Sequence, residues 1–312
     1  MTNNGQDADL AIQRAAAQLN HGNAEGAIET LIRVLGEHPD NAEAHAFLAI
    51  SLVHRKRIHA ARLEANRSLE LAPELFAGHI AAAKAAMANR DFRIANHHLE
   101  LAALLDPDSA WVELEKTQLA LAQDDLGAAS RHANHAIELD PGDDHAIAML
   151  AHVLYRQGNI RSAREHATKA LETDPENQQA LVTLGFCDLA EGKPEEAREH
   201  AAWALQANPM DESAMALLCA VKARSSPALG LWWRFQAYVS AGSRSRTMVM
   251  LLGIYLMYRI LLVAMDNHEL GSWSVALQFL WVGFCVYTWV APTFFYKSIR
   301  RELQQVKLRP GF

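Results

Sequence analysis

Residues 144–177 read DHAIAMLAHVLYRQGNIRSAREHATKALETDPEN, and residues 178–211 read QQALVTLGFCDLAEGKPEEAREHAAWALQANPMD. Laid one over the other they agree at a glycine (Gly158, Gly192), two alanines (Ala163 with Ala197, Ala170 with Ala204) and a proline (Pro175, Pro209). The proline carries the match outward. Pro39, Pro73, Pro107, Pro141, Pro175 and Pro209 each lie 34 residues from the next, and a fixed period of about 20–50 residues marks a stacked array. Twelve residues ahead of the prolines stand Ala27, Ala61, Ala95, Ala129, Ala163 and Ala197. Seven residues further on come Val34, Ser68, Ala102, Ala136, Ala170 and Ala204, nearly all small, followed by Leu35, Leu69, Ala103, Ile137, Leu171 and Leu205. Small residues recurring at a helical offset let two helices approach closely, with a larger apolar neighbour beside the contact.

Each unit has its own punctuation. Gly22, Gly158 and Gly192 sit five residues before the first alanine column, where a short turn separates two helices. Repeats two to four carry Lys56, Arg90 and Asp124 there, so those turns do without glycine. The second helix then runs about a dozen residues and meets proline, which cannot continue it. The reading is helix–turn–helix six times, over 8–41, 42–75, 76–109, 110–143, 144–177 and 178–211. Residues 212–224, ESAMALLCAVKAR, are expected to cap the last repeat.

This pattern resembles the tetratricopeptide repeat (TPR) family. Leu184–Gly185, Gly192, Ala197, Ala204 and Pro209 occupy the family's positions, and Leu150–Ala151, Gly158, Ala163, Ala170 and Pro175 match nearly as well. In repeat four Lys116–Thr117 replaces the usual Leu–Gly pair, so its first helix is expected to be rotated or locally loose. The resemblance implies an all-α fold, a right-handed superhelical solenoid, and an interaction scaffold whose concave wall is lined by the first helix of each repeat. Carrying the family's inward positions across gives three rows: Ile12, Ala46, Ile80, Leu114, Ala148 and Val182; Ala16, Ile50, Lys84, Gln118, His152 and Phe186; Leu19, Val53, Met87, Leu121, Tyr155 and Leu189. Of these, Ile50, Ile80, Lys84, Met87, Leu114, Gln118, His152, Tyr155, Val182 and Phe186 are the expected partner-binding groove. So apolar a wall suits an amphipathic helix or apolar peptide; part of it, Leu19, Leu121 and Leu189 above all, reads equally as core between repeats. The Lys and Asn clamp by which some TPR proteins grip a carboxylate-ended tail is mostly replaced by apolar residues.

After Ser225–Ser226–Pro227 the composition changes. Residues 1–224 carry 20 Lys+Arg against 33 Asp+Glu, a net −13, whereas residues 225–312 carry 9 against 3, a net +6. An acidic array has no basic footprint for nucleic acid. The basic tail is very apolar: TMVMLLGIYLMYRILLVAM (247–265) is uncharged apart from Arg259, and WSVALQFLWVGFCVYTWVAPTFFY (273–296) carries no charge. Each is long enough to cross a ~30 Å hydrocarbon core, and the short polar DNHELGS between them predicts an antiparallel transmembrane hairpin. Arg259 at mid-span costs roughly 2.5–3.5 kcal/mol, and the first span's Leu, Ile and Val residues return roughly 3–5 kcal/mol. Snorkelling toward the Met265 end or a bond to the second span relieves the rest.

Arg234, Arg244, Arg246, Lys297, Arg300 and Arg301 flank the hairpin and its turn has no Lys or Arg, which predicts both termini and the array on the cytoplasmic side of the cell membrane. Trp232 and Trp233, in an expected interfacial helix over 228–241, are membrane-contact candidates together with Arg259, Trp273 and Trp289. The closing RRELQQVKLRPGF suits anionic headgroups. The start, MTNNGQDADL, has neither the charged nor the apolar region of a cleavable signal.

No catalytic motif stands out: there is no phosphate-binding glycine loop, nucleophile elbow, HExxH or paired-cysteine motif. Cys187, Cys219 and Cys285 are too few and too far apart for a disulfide framework. His98, His132, His166 and His200 form a column at the repeat spacing, but neighbouring rungs ~10 Å apart cannot meet on one zinc ion ~2 Å from each ligand. His132 with His135 is a closer pair, and a pH-sensitive interface is the other reading. The sequence therefore predicts a non-enzymatic membrane-anchored scaffold, without cofactor or metal, that recruits a protein partner for assembly of a membrane complex. Two rivals stand beside it: an integral subunit of a transporter or membrane enzyme in which the hairpin is the working part, and a self-associating coat.

Overall fold

The computed structural model describes residues 3–225 apart from 21, 209 and 210, together with scattered helical positions between 252 and 286. Helices pair along the chain: α1 (Asn3–Asn20) with α2 (Ala24–Glu37), α3 (Ala42–His54) with α4 (Ile58–Leu71), α5 (Phe76–Ala88) with α6 (Phe92–Leu105). Then come α7 (Ala110–Ala122) with α8 (Leu126–Leu139), α9 (Asp144–Arg156) with α10 (Ile160–Thr173), α11 (Gln178–Ala190) with α12 (Pro194–Ala207), and a lone α13 (Glu212–Ser225). The first helices from α3 onward begin at 42, 76, 110, 144 and 178, and α13 at 212, so the step of the sequence is the step of the solenoid. The described residues form an all-α helical-repeat array.

Local chemistry sets the boundaries. Each second helix stops because the residue before proline is forced out of the helical region: His38, Ala72, Asp106, Asp140 and Asp174 have ψ between 74° and 102°. Their N–H groups still donate to the carbonyl four residues back, which closes the last turn. Asn23, Asn41, Asp125, Asp143, Asn159 and Asn177 start helices by accepting a backbone N–H on the side chain. Between the helices of a pair one residue is left-handed: Gly22 at φ +73°, Gly158 and Gly192 at +82°, and Lys56, Arg90 and Asp124 at +57°, +64° and +63°. The three turns lacking glycine keep the glycine geometry, at a cost of about 1 kcal/mol each.

Packing rests on the small residues. All six alanines of the column headed by Ala27 are 0% exposed, which lets the helices of a pair and the next pair meet backbone to backbone. In repeat four α7 keeps the start and length of its counterparts despite Lys116–Thr117. Thr117 is fully buried and donates its hydroxyl to the Glu113 carbonyl at 2.8 Å, so the added polar group is satisfied inside its own helix. The core is broad at both ends, one cluster running from Ala8 to Ala85, another from Ala46 to Leu119, and a third from Leu181 to Val221. Across repeats four and five it divides into small groups such as Ala120, Ala129 and Val153. α13 closes the array by seating Leu217 against Gly185, where a Cβ would collide with the leucine side chain.

Among the described residues no helix is long and apolar enough to cross a membrane. The expected interfacial helix 228–241, with Trp232 and Trp233, lies outside the described residues, as do Trp273, Trp289 and much of both expected spans. The positions that are described within 252–263 and 275–286 are helical. Tyr258 of the first stretch stacks on Trp281 of the second, ring centroids 4.5 Å apart and planes 12° from parallel.

Candidate functional site: a cavity walled by the first helices

The first helices surround a cavity of about 570 Å³. Ala16 and Leu19 of α1, Phe47, Ile50 and His54 of α3, and Lys84 of α5 form one side. Trp111, Leu114, Glu115 and Gln118 of α7, His145 and Met149 of α9, the α9 cap Asp143, and Gln179 of α11 form the other. Apart from Asp143, every lining residue comes from the first helix of its pair. The array also curls far enough for its ends to meet. Lys56, in the turn of the second pair, forms an ion pair with Glu212 at the start of α13, and Gly22 lies against the Asn208 side chain.

Of the groove residues expected from sequence, Ile50, Lys84, Leu114 and Gln118 line this cavity. Ile80 and Val182 are 0% and 2% exposed and belong to the core between helices. Met87 is half-buried against the second core cluster. Tyr155 and Phe186 stack with centroids 5.5 Å apart, linking α9 to α11, and His152, one turn before Tyr155 on α9, is half-buried. Sequence reasoning misses Phe47, His54, Trp111, Glu115, His145, Met149 and Gln179. Trp111, Glu115 and Gln118 fall at i, i+4 and i+7, one helical stripe with Leu114 beside it; the family pattern found Leu114 and Gln118 but took Leu121 in place of Trp111 and Glu115. Aromatic and ionisable residues on otherwise apolar first helices are the signal that could have found them.

An ion pair sits in this wall. Lys84 Nζ donates to Glu115 Oε1 at 2.6 Å, and Trp111 Nε1 donates to the same oxygen at 3.1 Å. The carboxylate is only 3% exposed and the lysine side chain 13%. Removing either partner of a pair so enclosed leaves a buried charge. His54 is open to solvent by area yet enclosed by the curving walls. That enclosure, with a smaller contribution from Lys84 set against Glu115, pulls its pKa below the ordinary histidine value. Burial does the same to His152, helped by Arg156, and its Nδ1 is buried without a hydrogen-bond partner. Burial also pushes the Tyr155 phenol up.

The histidine column lies away from the cavity, on the seam between the helices of each pair. His98 Nδ1 meets His79 Nδ1 at 3.1 Å, and His132 Nδ1 meets Glu113 Oε2 at 2.7 Å, each across 19 residues. His45 with Glu64, at 2.6 Å, repeats the register one pair earlier. His166 bonds the Ser162 carbonyl, and His200 lies 3.3 Å from Asp188. His132 and His135 both face Glu113, at 2.7 and 3.5 Å. Among the described residues no group of three His, Cys, Asp or Glu is arranged to hold a metal ion. Cys187 and Cys219 are buried, and burial pushes both thiols up to about 11, so they are protonated and unreactive at neutral pH.

Two segments, residues 12–75 and 154–221, each match a tetratricopeptide repeat family model. No curated protein matches the chain in sequence. Among solved structures, a thermophilic TPR protein of Thermus thermophilus is 18% identical, with 58% of this chain and 99% of that one covered and a TM-score of 0.53. The APC/C Cut9–Hcn1 assembly is 16% identical over 68% of this chain and 42% of that chain, TM-score 0.53. Yeast Tom70 is 17% identical over 70% and 47%, TM-score 0.50. At such identities these likenesses establish the fold alone. With a 34-residue step in both sequence and helix starts, and family matches at both ends of the array, the protein carries tetratricopeptide repeats, and its described array, residues 3–225, is an all-α solenoid of the protein-interaction class.

Proposed function

We propose that this protein is a scaffold that captures a segment of a partner protein in the cavity formed by its first helices, while residues 225–312 hold it at a membrane. The observation that carries the first part is the cavity itself. It has room for several side chains, is walled by Phe47, Ile50, Trp111, Leu114 and Met149, and is addressed by a few polar groups, the composition expected of a recognition site. The second part is supported by two long apolar stretches in the sequence and by helical positions there that leave large apolar side chains open, Ile260 at 69% and Phe279 at 74%. Such faces suit lipid. The charge flanking the stretches supports a cytoplasmic array at the cell membrane. Confinement to a surface raises a captured partner's effective concentration beside other membrane components, which suits the assembly of a membrane complex.

Site-specific photocrosslinking tests the capture site. A photoreactive residue replacing Gln118, on the cavity wall, is expected to trap a partner in intact membranes. The same residue replacing Leu63, exposed on α4, is expected to trap none. Phe47→Glu should abolish the Gln118 adduct without changing the far-UV circular dichroism. Capture from position 63 and not from 118 moves the interface to the second helices. Extraction with alkaline carbonate reports on the anchor: the full chain should stay in the pellet, and its release would remove the membrane from this reading.

A further inference from the structure

An apolar peptide alone leaves one feature of the cavity wall unused. Glu115 is almost entirely buried, and its two oxygens fare differently. Oε1 accepts from both Lys84 and Trp111, whereas Oε2 is buried and meets no donor. A carboxylate accepts several hydrogen bonds, and a buried acceptor left without one is costly to the folded state. None of the neutral donors of the lining, Gln118, Gln179, His54 and His145, bonds to Oε2, and among the described residues no free cation stands beside it. Lys84 is the only Lys or Arg of the lining and is spent on Oε1; a second carboxylate, Asp143, stands on the same cavity with its Oδ1 taken by the His145 backbone N–H. The formal charge of the lining, histidines neutral, is one cation against two carboxylates. Desolvation by the surrounding walls shifts His54 toward its neutral form, away from supplying the compensating charge. Anions are thus disfavoured here, and a cation is the missing complement.

We infer that the cavity selects a partner segment carrying a lysine or arginine, whose cationic side chain donates to Glu115 while its apolar neighbours lie against Phe47, Ile50 and Trp111. The inference rests on the cavity being the capture site. The terminal torsion of a glutamate is soft and nearly two-fold, so rocking the carboxylate presents the unpaired oxygen to the cavity without moving the helix. Trp111 lines the same cavity, and its N–H holds the other oxygen of this carboxylate. The preferred ligand is therefore opposite in charge to a carboxylate-ended tail.

The full-length protein in an uncharged detergent is titrated with fluorescein-labelled twelve-residue peptides of one apolar sequence that differ only in a central Lys, Arg, Gln or Glu. The Lys and Arg peptides are expected to bind about tenfold more tightly than the Gln peptide, the size of one charge-assisted hydrogen bond, and the Glu peptide most weakly. In Glu115→Gln the ratio of Lys to Gln affinity should fall to about one. Glu115→Gln combined with Lys84→Met removes both charges together and should give the same collapse should the single variant fail to fold. Equal affinities in the native protein, or a Lys preference that survives in these variants, overturns the inference and leaves the capture site standing. Failure of every peptide, Gln included, to bind overturns both.

Discussion

Ser68 shows how finely the packing is set at the level of single atoms. It occupies the small-residue column shared with Ala102, Ala136, Ala170 and Ala204, and it is fully buried. Its hydroxyl finds no hydrogen-bond partner, so the residue fits by size but carries an unsatisfied group where its counterparts carry a methyl. Ser68→Ala should stabilise the array by about 1 kcal/mol, read as a higher urea midpoint with an unchanged slope. A lower midpoint would mean the hydroxyl has a partner in solution. Lys56, Arg90 and Asp124 tell a similar story from the backbone. Glycine would enter their left-handed turns without strain, yet the chain keeps side chains that work elsewhere: Lys56 reaches Glu212, Asp124 accepts from Arg156, and Arg90 lies 5.8 Å over the Phe92 ring.

Between elements, the seams joining the helices of each pair make the array sensitive to acid. His79 Nε2 donates to the Pro73 carbonyl, so in its neutral form Nδ1 accepts from His98, and the two facing Nδ1 atoms cannot both carry a proton. Burial lowers the pKa of each; the Pro73 bond opposes the shift at His79, and His79 and His97 add to it at His98. His54, His152 and His200 are also lowered, burial leading in each case. Groups whose pKa is lower folded than unfolded bind protons more readily in the unfolded chain. Their neutral forms favour folding fully above the unfolded value, ~6.5, and that advantage is lost as pH falls from there through the folded values. At Glu113 burial raises the pKa, but the hydrogen bonds and charges of Lys116 and His132 outweigh it and hold the carboxyl below its usual range. It therefore adds a second loss in more acidic solution. The urea midpoint should drop between about pH 7.5 and 5.5, and His79→Leu with His98→Leu should flatten that drop. A midpoint that rises toward the acid end would contradict the neutral His79–His98 pair.

For the molecule as a whole, curvature decides what the cavity can admit. The array closes on itself through Lys56 and Glu212, both largely exposed, and through Gly22 against Asn208. An exposed ion pair adds little to stability, so this contact acts on shape more than on folding. Lys56→Glu places like charges at the closure and should lengthen the distance between spin labels on α2 and α13 while leaving the urea midpoint nearly unchanged. An unaltered distance would mean that helix packing alone sets the curvature.

The sequence by itself determined the repeat, its period and its helix boundaries, because these follow from local rules. Proline ends a helix at Pro39 through Pro175, asparagine and aspartate start one, and alanine at a fixed offset allows close approach. The resemblance also led to the right set of helices for the cavity wall. What the sequence left undetermined was which stripe of those helices faces inward. On α7 the wall holds the expected Leu114 and Gln118 but takes Trp111 and Glu115 in place of Leu121, because the helix's rotation about its axis is set by how it leans on its neighbours, a sum of many non-local contacts. The Lys84–Glu115 pair, 31 residues apart, and the meeting of Lys56 with Glu212 exist only once successive pairs have curled toward one another. Tertiary structure alone decided these, since a small turn at each junction, repeated along the array, brings together groups that no local pattern connects.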